Sequence, residues 1–186
     1  MAGVTATENA PTRAAPLPDL SAAVRKYVTE FIGTFFLTFA VGVAALSGSV
    51  FVPLAAGATL MVMIYAGGHV SGGHYNPAVT MGALVRGRIG IADAVAYWAV
   101  QVIGGVAAGA LARAVVNPAA VKTLALSGHA EAAAAVAEVL VTFALCYVML
   151  NVATSKDQAG NGFFGLAIGF TVAAGLAFLA LNPGDK

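Results

Sequence analysis

Five apolar runs, each near the length that a helix needs to cross the hydrocarbon of a bilayer, decide what this chain can fold into. They extend from about Tyr27 to Leu46, Phe51 to Gly67, Ile91 to Ala114, Glu131 to Val152, and Phe163 to Leu181. A spanning helix needs about 20 residues, with about 17 to 25 tolerated, and all five fall in that window. Composition leads to the same place. The chain is 60% hydrophobic and only 9% charged, where a soluble domain carries about a quarter charged residues. So few charges could not cover a water-facing surface. The expected fold class is therefore an all-α integral membrane bundle, with the lipid bilayer as its solvent.

The ends and the charges refine this. Residues 1–24 hold Pro11, Pro16 and Pro18 among Ala and Thr, with little apolar content, and are expected to be a flexible tail. They lack the charged start, short apolar core and cleavage site of a signal peptide. Residues 25–186 make up the membrane domain. With five alternating spans, Arg13, Arg25, Lys26, Arg86, Arg88 and Lys156 fall on one side, and Arg113, Lys122 and Lys186 on the other. The excess predicts a cytoplasmic N-terminus and an outer C-terminus in a multi-pass protein of the cell membrane. A net charge of +1 gives no reason to expect a nucleic-acid partner. Cys146, the one cysteine, sits in an apolar run and reads as a small buried hydrophobe. Gly105 and Gly109, like Gly165 and Gly169, stand four apart, a spacing that lets helices approach closely in lipid.

The spans repeat. Thr29-Glu-Phe-Ile-Gly-Thr-Phe-Phe-Leu-Thr-Phe39 echoes Ala137-Glu-Val-Leu-Val-Thr-Phe-Ala-Leu-Cys-Tyr147, 108 residues on. Leu54, Ala55, Gly57 and Thr59 return as Leu166, Ala167, Gly169 and Thr171, 112 residues on. Residues 25–114 form one copy and residues 131–186 a second. The copies start at the first and fourth spans, so they enter the membrane with opposite orientation. Inverted repeats place a binding or permeation site at the midplane, where broken helices meet. At the second offset the partner of Asn76 would be residue 188, beyond Lys186. The second copy is thus expected to stop before its own re-entrant element.

One segment is too short to span. From Gly68 the chain reads Gly-His-Val-Ser-Gly-Gly-His-Tyr-Asn-Pro-Ala-Val-Thr80, followed by a few helix-compatible residues to Val85. This predicts a glycine loop and a half-helix that dips in and returns. Pro77 suits the first helical turn, which puts Asn76 at the N-cap, accepting from the N–H of Ala78 or Val79. Its amide NH₂ is then a fixed outward donor. Gly72 and Gly73 are expected to hold the backbone extended, so that the carbonyls of Gly72, Gly73, His74 and Tyr75 face a cavity. Such backbone is tolerated at membrane depth only where it is buried or lines water. A carbonyl ladder ending in a rigid donor suits a single file of water. The half-helix N-terminus adds about half a positive charge, which repels cations and disfavours proton transfer along the file.

Ser71-Gly-Gly-His-Tyr-Asn-Pro-Ala-Val-Thr80 resembles the first signature loop of the aquaporin, or major intrinsic protein, family. The likeness extends through Arg86-Gly-Arg88, the stretch from Tyr97 to Gly104 around Gln101, and both glutamate-bearing spans, covering about Glu30 to Leu176. It implies an aquaporin-like inverted-repeat bundle of five spans and one re-entrant half-helix, the second half-helix and sixth span being missing. It also implies a channel for water or small neutral solutes such as glycerol, rather than an enzyme, and a homotetramer. Gly72, Gly73, His74, Tyr75, Asn76, Ala78 and Val79 would line the pore. By register, Ala56 and Leu176 would stand at the selectivity filter. Glu30 and Glu138 would brace re-entrant loops, with Gln101 doing similar work or bonding a neighbouring helix.

Other readings stay beside this one. A nonconducting fragment or assembly partner is the alternative on activity. A metalloenzyme would use His69 and His74, but no further ligand stands near them, and no metal or cofactor is expected. Asn117-Pro118-Ala119 lacks a preceding glycine loop and reads as a helix stop with a turn. Asn182-Pro183-Gly184 falls six residues early by register and is set aside as a second pore motif.

Overall fold

The computed structural model describes residues 20–116 and 128–180. Six α-helices account for most of them: α1 (Leu20–Leu46), α2 (Val52–Ser71), α3 (Pro77–Val85), α4 (Ile91–Val115), α5 (His129–Thr154) and α6 (Phe164–Ala180). A short 3₁₀ turn, Lys156–Gln158, follows α5. Four helices are long and apolar enough to cross a membrane: Ser21–Leu46, Val52–Ser71, Ile91–Val115 and Glu131–Thr154. The fifth expected span, α6, has 17 described residues, the lower limit for a crossing. Asn117-Pro118-Ala119 and Asn182-Pro183-Gly184 lie outside the described residues.

Several boundaries move. Helix α1 starts at Leu20 rather than residue 25, and α5 at His129 rather than residue 131. The expected limits mark where sustained apolar content begins, but helix-forming residues such as Ala22, Ala23 and Ala130 carry a helix past that point. Helix α2 takes in Gly68 to Ser71, which were expected in the loop.

The repeat appears as a reciprocal contact. Helices α2 and α6 cross at Gly57 and Gly169. A Cβ on Gly57 would lie 2.5 Å from the carbonyl oxygen of Gly169, and a Cβ on Gly169 would lie 2.5 Å from that of Gly57. The next neighbours mirror each other too: Ala173 Cβ at 2.6 Å from the first, Met61 Cβ at 2.7 Å from the second. Residues 57 and 169, like 61 and 173, are 112 apart, so a local two-fold relates the two helices. Helix α1 packs along α4 through Gly104, where a Cβ would come 2.9 Å from the Phe31 carbonyl oxygen. Gly105 and Gly109 are the expected contacts on α4: a Cβ on Gly105 would lie 3.8 Å from Thr38 Oγ1 of α1, whereas one on Gly109 would meet nothing within 4 Å among the described residues. Helix rotation decides which glycine faces the partner, and spacing alone does not give it.

Helix α3 returns to the side it came from. The C-terminus of α2 is fixed near the start of α1 by the Ser71 hydroxyl, which donates to Glu30 Oε1 at 2.7 Å. The start of α4 is tied there by Asp93, which accepts from Tyr27 Oη at 2.7 Å and Lys26 Nζ at 3.2 Å. Both ends of the intervening segment therefore sit on one face of the bundle. With nine residues, α3 is only about 13 Å long.

Candidate functional site

The loop between α2 and α3 is built by left-handed backbone. Gly72 (φ 92°) ends α2 with its N–H on the Gly68 carbonyl, a common glycine helix stop. Gly73 (φ 65°) and Tyr75 (φ 48°) are left-handed as well. This corrects the expected extended run, because terminating α2 and turning into α3 within five residues requires positive φ. Asn76 (φ −153°, ψ 130°) is extended at the entrance to α3. Its Oδ1 accepts from the N–H of Ala78 at 2.7 Å and of Val79 at 3.4 Å. Its Nδ2 meets no acceptor among the described residues.

Glu30 holds this loop from behind. The side chain is fully buried. Oε1 accepts from the Ser71 hydroxyl at 2.7 Å and the His74 N–H at 2.9 Å. Oε2 accepts from the Tyr75 N–H at 2.7 Å and Gln101 Nε2 at 2.9 Å. Gln101 Nε2 also donates to Thr80 Oγ1 at 3.0 Å, which lies 3.1 Å from His74 Nδ1. Tyr97 Oη donates to the Ser71 carbonyl at 2.6 Å, and its ring meets that of His74 edge-on, with centroids 5.3 Å apart. Trp98 Nε1 donates to the Pro77 carbonyl at 3.0 Å, anchoring α3 to α4. Buried polar groups are costly without partners, and here the Glu30 carboxylate, the Ser71 and Thr80 hydroxyls and the Gln101 amide nitrogen each find one.

Two cavities meet at this support. One, of about 180 Å³, is bounded by Gly73, His74, Asn76 and Val79 on the loop side. Its other walls are Leu37 and Val41 of α1, Ala56, Leu60 and Ile64 of α2, Val141, Thr142, Leu145 and Met149 of α5, and Ile168, Val172 and Leu176 of α6. The other, of about 620 Å³, opens among Lys26, Arg88, Asp93 and Lys156 and takes in Gly72. His74 and Met149 line both.

The sequence-predicted residues are distributed as follows. Gly73, His74, Asn76 and Val79 share the smaller cavity with Ala56 and Leu176. Gly72 belongs to the larger one. Ala78 lines neither and contributes an N–H to the cap. Tyr75 points its side chain away from both and is 2% exposed. Glu138, expected to brace a loop as Glu30 does, is exposed and has no hydrogen-bond partner among the described residues. It stands on a face of α5 that no described loop covers. Among the described residues no three His, Cys, Asp or Glu side chains converge.

Residues that the sequence reading passed over complete the site. Thr80 stands one helical turn after Asn76. Leu60 and Ile64 repeat Ala56 at steps of four on α2, as Ile168 and Val172 lead to Leu176 on α6. Residues at that spacing share one helix face, so the two filter positions carried the signal for the rest of each wall.

A helical bundle with a local two-fold, a half-helix that returns to the side it came from, and a cavity walled by the loop and by α1, α2, α5 and α6 defines a membrane channel scaffold. The sequence profile of the major intrinsic protein family matches residues 18–184. The chain is 40% identical over 168 residues to glycerol uptake facilitator protein-like 6 of Lactiplantibacillus plantarum, covering 86% of this chain and 76% of that one. It is 35% identical over 175 residues to aquaporin TIP2-1 of Zea mays (87% and 70%). It is 33% identical over 165 residues to aquaporin Z of Brucella melitensis (79% and 72%). The chain belongs to the major intrinsic protein family.

Proposed function

We propose that this chain lines a passive transmembrane path for water or small neutral solutes such as glycerol. The observation that carries the reading is the placement of Asn76. Its side-chain oxygen is spent on the α3 cap, and its amide donor is left beside a cavity whose remaining walls are mainly apolar. A solute crossing there finds a donor at Asn76 and little else to hold it. The names of the relatives, one a glycerol facilitator and others aquaporins, support the same solute class. The family resemblance supports a homotetramer in the cell membrane, and the lysine and arginine distribution supports a cytoplasmic N-terminus.

Stopped-flow shrinkage of vesicles carrying the chain tests this. Water flux is expected to exceed that of empty vesicles with a low activation energy. Asn76→Asp keeps an oxygen for the cap and removes the amide donor, and is expected to lower flux about tenfold, the scale of one charge-free hydrogen bond. Flux equal to empty vesicles would favour the alternative, a nonconducting assembly partner.

A further inference from the structure

We propose that Tyr75 is the positioning residue for Asn76: its ring, seated in a slot left by Gly33 of α1 and Gly67 of α2, fixes from behind where the donor of Asn76 stands in the cavity. The proposal rests on the reading of Asn76 given above.

Three residues make sense only together. Tyr75 has φ 48°, a conformation that favours glycine over a bulky side chain. A tyrosine there needs packing to offset its backbone. That packing comes from two glycines inside helices, where glycine is otherwise unfavourable. A Cβ on Gly33 would fall within the ring of Tyr75, and one on Gly67 would meet its hydroxyl and the methyl of Thr29. At the slot's end, Tyr75 Oη donates to the Met63 carbonyl at 2.9 Å. The backbone N–H of the same residue donates to Glu30 Oε2 at 2.7 Å. Tyr75 is thereby fixed to α1 by its main chain and to α2 by its side chain. Asn76 follows directly, and with both ends of Tyr75 held, little freedom remains at the peptide between them. Hydrogen bonding by Glu30 alone would leave the loop free to rock about that peptide. The ring in its slot removes this motion.

The test uses the full chain in phosphatidylcholine–phosphatidylglycerol vesicles, with Tyr75→Gly, Tyr75→Phe and Gly33→Ala. Tyr75→Gly relieves the backbone but empties the slot. Gly33→Ala keeps Tyr75 and displaces its ring. Tyr75→Phe keeps the ring and loses only the hydroxyl. The first measurement is magnetic resonance of the ¹⁵N-labelled Asn76 side-chain amide, assigned by its loss in Asn76→Asp. Tyr75→Gly and Gly33→Ala are each expected to shift or multiply that signal, and Tyr75→Phe to leave it single and near its original place. The second is the ratio of glycerol to water permeability, which does not depend on how much chain folds. It is expected to change by about fivefold or more in Tyr75→Gly, the scale of one hydrogen bond, and to return in Tyr75→Phe. An Asn76 amide signal that is unchanged in both Tyr75→Gly and Gly33→Ala overturns the proposal. A chain that passes no solute, yet shows the expected signal changes, overturns the transport reading and leaves the positioning role standing.

Discussion

Glu30 and Glu138 occupy equivalent places in the two repeats and live in opposite surroundings. Each Glu30 oxygen accepts two donors, so Glu30→Gln must turn an NH₂ against two of them. The loss is expected to be about 2–4 kcal/mol, from buried donors left unpaired. Glu138→Gln, with no partner among the described residues, is expected to change stability by less than about 0.5 kcal/mol. Unfolding of both variants in detergent measures the contrast, and a large loss in Glu138→Gln would show that this carboxylate is held after all. The cap at Asn76 was legible from Asn-Pro-Ala alone, because proline and a short amide dictate local geometry. The left-handed glycines and the slot of Tyr75 were not. They depend on where α1 and α2 pass behind the loop, which no local pattern encodes.

At the scale of helices, the close crossing of α2 and α6 makes a symmetric prediction. Gly57→Ala and Gly169→Ala each push a methyl against the other's carbonyl. Each is expected to cost about 1–3 kcal/mol as overpacking, and the pair less than the sum, since one displacement relieves both. Gly109→Ala meets nothing within 4 Å among the described residues and is expected to be neutral or to stabilise by up to about 1 kcal/mol through helix propensity. Thermal unfolding of the four variants in detergent decides this. The 112-residue offset was readable in sequence because equivalent positions kept their residue types. The choice of Gly104 over Gly109 on α4 was not, because both stand in one small-residue stretch of sequence and only the helix rotation decides which of them faces α1.

For the whole molecule, the larger cavity among Lys26, Arg88, Asp93 and Lys156 marks the end that the charge distribution assigns to the cytoplasm. A single cysteine at Lys156, in a Cys146→Ala background, is expected to react with a membrane-impermeant maleimide only after cells are opened. Labelling of intact cells would reverse the topology. Apolar run length made the long helices readable, four of which are long and apolar enough to cross a membrane among the described residues, but the cavity walls became visible only once residues from α1, α2, α5 and α6 were set around one loop. The loop support has a further consequence for how the chain is made. Every group that bonds Glu30 lies between Ser71 and Gln101, whereas the far wall of the cavity waits for α5 and α6. A chain emerging from the ribosome N-terminus first can therefore close its polar cage before the α5 and α6 wall of its cavity has been synthesised. The face of α2 around Gly57 would spend that interval against acyl chains, a surface about as apolar as the helix that later replaces them.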